Sequence, residues 1–268
     1  MSGRERQLPA RGPARGLSYS LAGAAMLTAL ILLLPLPGTA ADLTPAARIV
    51  AYALVFVPIP LLLHGFLVAS EDHATSRLLT LGAASAAIGF SSALAARPEH
   101  LASGPGFAGS GLLALLALCV ADLTRILAAA CVGISLARYI TSVGTVLLVV
   151  VAAIAADILS VFAGPTEALV RANSPLLDFL LLVFPTFGSP LGFGLGLSDF
   201  IFLALFAAVA SFLDLRYAAT LFAVCTAAFL AVTASLPLAR PLPALPFIAV
   251  AFVVGNADLI LASFVRRS

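Results

Sequence analysis

The chain has 268 residues, 62% of them hydrophobic and 10% charged, with a net charge of +2, whereas soluble domains are roughly 45–50% apolar. That balance excludes a soluble globular enzyme, and 14 arginines with no lysine, scattered along the chain, form no basic face for nucleic acid. Apolar runs of about 20 residues recur from end to end, which predicts one polytopic, all-α transmembrane bundle with no separate soluble domain.

Residues 1–16 carry Arg4, Arg6, Arg11 and Arg15 among prolines and glycines and read as a disordered cytoplasmic tail. An N-terminal set of transmembrane helices then covers 17–136, and a second set within the same domain covers 137–268. The first span is 17–36. Gly38-Thr39-Ala40 after it also fits a signal-peptidase site, but the reading adopted is a retained helix with the N-terminus inside. The second span, 46–70, holds Pro58 and Pro60 as kink residues; the third, 76–96, is rich in Ala, Ser and Gly for close helix packing. The fourth, 109–136, is long and carries Asp122 and Arg125 three apart on one face, where they can neutralise each other. That pair reads as structural; a turn there would split the segment and raise the count from eight spans to nine.

The fifth span, 140–163, contains Asp157. Residues 164–189 are irregular: polar at Glu167, Arg171, Asn173 and Asp178, then apolar from Phe179 to Phe187 but too short to cross, which suits an interfacial or re-entrant segment. Residues 190–210 form a glycine-rich approach to an apolar helix carrying Asp199. A span over 217–236, a break from Pro237 to Pro246 and a last span ending at Arg266 and Arg267 complete the chain. Eight spans with the N-terminus inside put nine arginines on the cytoplasmic side and four outside, in keeping with the positive-inside rule. Abundant Ala, Arg and Gly without Lys suggests a prokaryotic plasma membrane as the setting.

An ionised carboxylate in hydrocarbon loses its hydration and persists only facing a protein interior or a wet cavity, so Asp157 and Asp199 mark a candidate site. Asp157 lies near the end of its span and Asp199 near the start of the next, so both sit roughly 10–12 Å below the same face. Two carboxylates in a poorly solvated site share one proton, as an aspartic protease requires: one takes a proton from water while the other donates to the scissile carbonyl. The spacing alone equally fits a proton relay or two separate packing groups. Arg240-Pro241-Leu242-Pro243-Ala244-Leu245-Pro246 opens the last span on that same side, where proline removes backbone donors and leaves nearby amides and carbonyls free.

In these residues the chain resembles the presenilin and signal peptide peptidase family of intramembrane aspartyl proteases. That family places one aspartate in one span, Gly-x-Gly-Asp in the next and Pro-Ala-Leu near the start of the last. Pro243-Ala244-Leu245 matches completely, and Asp199-Phe200-Ile201-Phe202 after a Gly-Leu-Gly-Leu run is presenilin-like. The similarity covers 153–268; earlier spans agree only in being apolar. The resemblance implies an aspartic endopeptidase with Asp157 and Asp199 as the catalytic pair and no cofactor or metal. Gly194, Gly196, Leu197, Ser198, Pro243, Ala244 and Leu245 would line the substrate site. Its partners would be the bilayer and transmembrane-helix or signal-peptide substrates. A substrate helix hides its carbonyls in internal hydrogen bonds and must unwind; the glycine run before Asp199 and the backbone near Pro243 would then supply partners by strand addition.

Two positions depart from the family pattern. Gly-x-Gly-Asp here reads Gly196-Leu197-Ser198-Asp199, and the tyrosine expected before the first aspartate is Ala156. Serine has a Cβ that restricts the backbone and a hydroxyl that can bond the carboxylate. A presenilin-fold protein that binds helices but hydrolyses poorly, and a proton-coupled transporter, are the alternatives. The arginine count puts the loop between the aspartates outside, as in the signal peptide peptidase branch and opposite to presenilin. Type IV prepilin peptidases also use a glycine-aspartate pattern, but without Pro-Ala-Leu. His64 reads as a hydrogen-bonding residue, Asn256 and Asp258 as interhelical polar groups deep in the last span, and Cys119, Cys131 and Cys225 as small core residues.

Overall fold

A computed structural model describes residues 13–34, 44–71, 73–95, 110–164, 180–186, 189–238 and 242–265. In chain order these form α1 (Pro13–Leu33), α2 (Pro45–Phe56), α3 (Pro58–Ser70), α4 (Thr75–Ala95), α5 (Ser110–Ala137) and α6 (Val143–Ala163). A hairpin of β1 (Leu181–Thr186) and β2 (Ser189–Gly196) follows, then α7 (Leu197–Phe212), α8 (Tyr217–Leu238), α9 (Leu245–Gly255) and α10 (Ala257–Val265). Among the described residues, five helical stretches are long and apolar enough to cross a membrane, or six if α9 and α10 count as one bent span. The chain is that of an integral membrane protein with a helical bundle.

The helices start and break where their chemistry dictates. Thr44 caps α2 through the Ala47 amide, Ser142 caps α6 through the Thr145 amide, and α3 begins at Pro58, one residue after α2 ends. Close crossings rest on glycine. A Cβ on Gly65 would strike the Ser20 amide and hydroxyl of α1, one on Gly23 would lie 2.9 Å from Leu62, and one on Gly89 of α4 would lie 2.8 Å from Thr124 of α5. The small-residue character of α4 is therefore used for packing against α5.

Several expectations are corrected. Helix α1 begins at Pro13, inside the segment expected to be a tail, while residues 1–12 and the Gly38–Ala40 site lie outside the described residues. Helix α5 is one uninterrupted helix of 28 residues, as the undivided reading of this segment expects, and the alternative of a turn at Asp122 is not what forms. The reason is that Asp122 and Arg125 are buried and paired within the bundle and need no loop to reach water. The bundle is mostly helical, as an all-α reading expects, with one local departure: the apolar stretch before Asp199 and the glycine run form an antiparallel hairpin, and α7 starts only at Leu197. At 16 residues α7 is about 24 Å long, shorter than a bilayer core is thick, and the hairpin precedes it directly. Strands are tolerated there because they pair with each other and bury one face: Leu182, Phe184, Phe193 and Leu195 all lie in the core.

The last span also differs from expectation, bending by 61° between α9 and α10. Asn256 sits at that break, not deep in a continuous helix. Its Oδ1 accepts from the Arg216 amide (3.1 Å), and its Nδ2 donates to Thr220 Oγ1 (2.8 Å) and the Phe252 carbonyl (2.9 Å). Asp258 is exposed and pairs with Arg216 at 2.7 Å.

Helix α7 is the centre of the bundle. Every residue from Leu203 to Ala210 is buried, between α5, α8 and α9. Phe206 stacks on Phe252 of α9 with ring centroids 4.8 Å apart. Gly133 of α5 lets the Ile201 carbonyl of α7 approach so closely that any Cβ there would collide with it. By contrast α6 packs chiefly on α9 and leaves most of its surface facing outward.

Candidate active site

The hairpin is built by alternation. Leu182 faces Leu195 and Phe184 faces Phe193 across the pair, and these four side chains form its buried face. Phe193 is held against Tyr52 (4.3 Å between centroids) and Phe56 (5.9 Å) of α2, and Phe184 lies 6.4 Å from Phe200 of α7. The other face carries Gly194 and Gly196, opposite Val183 and Leu181. Gly194 is exposed, and a Cβ there would meet nothing closer than 3.6 Å.

Strand β2 runs directly into α7, and Gly196 is the helix N-cap with extended backbone, φ −65° and ψ 143°. Asp199, third residue of the helix, reaches back so that its Oδ2 accepts the Gly196 amide at 3.0 Å. That bond turns the carboxylate toward the strand end. A Cβ on Gly196 would lie 3.0 Å from Asp199 Oδ2, so glycine is needed for the carboxylate to approach the backbone. Leu197 packs partly against the core, whereas the Ser198 side chain is exposed.

Asp157 comes from the outward-facing helix α6 and is half-buried. Its Oδ2 accepts the amide of Leu245, the first residue of α9, at 3.0 Å. Pro243, Ala244 and Leu245 are buried at this helix start, where the amides have no intrahelical acceptor. Pro246 has no amide to offer, and Asp157 accepts the one that Leu245 presents at the helix start.

Asp157 thus meets the Pro243–Leu245 turn and Asp199 meets Gly196, while Leu197 packs partly against the core and Ser198 is exposed. The glycine run before Asp199 is strand and not the start of a span, so Asp199 sits in the first turn of α7. Two residues near the site were read as structural, Asp122 and Arg125. Arg125 donates to the Leu181 carbonyl of β1 at 2.8 Å, a contact 56 residues away in sequence. Elsewhere, His64 bonds the Tyr217 hydroxyl at 2.8 Å, as a hydrogen-bonding residue, and the three cysteines are buried. No family model, curated protein or solved structure matches the chain.

Proposed function

We propose that this protein is an intramembrane aspartyl protease of presenilin-like kind, acting on transmembrane helices or signal peptides in a prokaryotic plasma membrane with its N-terminus cytoplasmic. The observation that carries the reading is the Leu245 amide on Asp157 Oδ2, which joins the Pro-Ala-Leu turn to one carboxylate, with the second held at the end of β2 by the Gly196 amide. Each carboxylate has one oxygen engaged by a backbone amide. Such bonds orient the groups for a water between them: one carboxylate accepts the water's proton as it attacks, and the other protonates the peptide carbonyl.

The hairpin supports the substrate side of the reading. In a two-stranded sheet each strand pairs along one edge only, and β2 leads straight to Asp199. A substrate segment added to the second edge of β2 would satisfy its unwound backbone and run past the carboxylates. Gly194 and Gly196 keep one face of that strand free of side chains.

The test is cleavage of a single-span reporter by the purified protein in lipid vesicles, read by product mass. Wild type yields two fragments, and Asp157→Ala and Asp199→Ala yield none. Cleavage that survives either alanine overturns the proposal, as does a wild type that never cleaves but moves protons down an imposed pH gradient.

A further inference from the structure

At the middle of α5, Asp122 and Arg125 are both buried, the former wholly and the latter to 2% exposure. Their closest charged atoms are 3.7 Å apart, a distance at which attraction persists without a short hydrogen bond. Removing two charges from water is costly, and apolar residues of similar volume commonly serve stability as well or better. Stability of α5 therefore does not account for the pair.

The surroundings suggest what does. Arg125 reaches β1 and donates to the Leu181 carbonyl at 2.8 Å. Asp122 approaches the Val183 amide on the same strand, without closing a well-formed hydrogen bond. Space for the arginine stem comes from α4, where a Cβ on Gly89 would lie 2.9 Å from Arg125 Cγ. Leu181 is the register partner of Gly196, and the Gly196 amide donates to Asp199. One path of contacts thus runs from Arg125 through Leu181 and Gly196 to the Asp199 carboxylate.

We infer that the Asp122–Arg125 pair is a positioning device: it pins β1 to α5, and through the strand pair sets where β2 ends and where the Asp199 carboxylate points. The consequence for catalysis rests on the protease reading; the pinning of the hairpin does not. Hydrogen bonds to charged donors are short, directional and stronger than neutral ones, which suits a guanidinium to holding one carbonyl in place.

The test uses the full-length protein in lipid nanodiscs, with amide hydrogen exchange of the Leu181–Gly196 hairpin and reporter cleavage read together. Arg125→Gln strands a buried carboxylate and can fail to fold, so the deciding variant is the apolar double Asp122→Leu/Arg125→Met, which strands nothing. The expected result is a melting temperature at or above wild type, hairpin exchange about tenfold faster, unchanged exchange in α1 and α3, a kcat lower by about tenfold, and cleavage spread over neighbouring peptide bonds. Hairpin exchange equal to wild type overturns the pinning. Faster exchange with unaltered kcat and cleavage position overturns the positioning role. If wild type does not cleave, the protease reading fails, and hairpin exchange still decides whether the pair holds β1.

Discussion

The Leu245 amide and the Asp157 carboxylate, 88 residues apart in sequence, meet at 3.0 Å at the first turn of α9. The bond does two things at once. It satisfies an amide that the helix itself leaves without an acceptor, and it fixes one carboxylate against the Pro-Ala-Leu turn. On the protease proposal scaffold and chemistry would share an atom, and substitutions must be chosen to separate them.

Asp157→Asn separates them. The amide side chain keeps an oxygen for the Leu245 amide, so thermal stability in detergent should change by no more than about 1 kcal/mol. Cleavage of the reporter should nevertheless fall to background, because an amide neither accepts nor delivers the proton. Loss of stability comparable to that of Asp157→Leu would instead make the residue a helix cap.

Gly196→Ala and Gly194→Ala form a matched pair on one strand. The backbone at 196 is already extended with negative φ, so alanine brings no backbone strain there. Its Cβ would crowd Asp199 Oδ2 at 3.0 Å, whereas one at 194 meets Leu181 side-chain atoms and the Leu182 carbonyl at 3.6 Å or beyond, ordinary van der Waals contact. Expected with the same reporter are a kcat lowered at least about tenfold for Gly196→Ala and, for Gly194→Ala, a kcat within about twofold of wild type with a raised KM, because the added methyl intrudes on the strand face left free for substrate.

Ser198 is where the chain departs from Gly-x-Gly-Asp, and its side chain is exposed. Ser198→Gly should leave turnover within about threefold, since an exposed hydroxyl adds little to the placement of Asp199. A rise of tenfold or more would assign poor hydrolysis to this serine.

Gly133→Ala tests how tightly α7 is held. The added Cβ would collide with the Ile201 carbonyl, and overpacking of this kind costs about 1–3 kcal/mol. Both the melting temperature and kcat should drop, because the displaced helix carries Asp199.

At the opposite end of α9, Asn256→Leu removes the acceptor of the Arg216 amide and the donor to Thr220, a buried loss of about 1–3 kcal/mol. Asp258→Asn breaks only an exposed ion pair and should cost less than about 1 kcal/mol. Thermal unfolding of the two variants side by side checks the ordering.

Composition and local pattern determined a good deal. Hydropathy is additive along the chain, so membrane residence, the positions of α1 to α6 and α8, and the break at Pro58 were legible in the sequence. So were the costly carboxylates Asp157 and Asp199 and the Pro243–Leu245 turn, because each is a departure from its own neighbourhood. Tertiary structure decided what depends on a distant partner. The Gly-rich run from Ser189 to Gly196 has weak intrinsic strand preference, and becomes a strand because β1 pairs with it and Tyr52 and Phe56 cover Phe193. Asn256 breaks the last helix because Arg216 and Thr220 offer it better partners than the helix does. Arg125 read as half of a local ion pair, and only the folded chain brings the Leu181 carbonyl to it, since hydrogen bonds are short-ranged and sequence spacing carries no information about a contact 56 residues away.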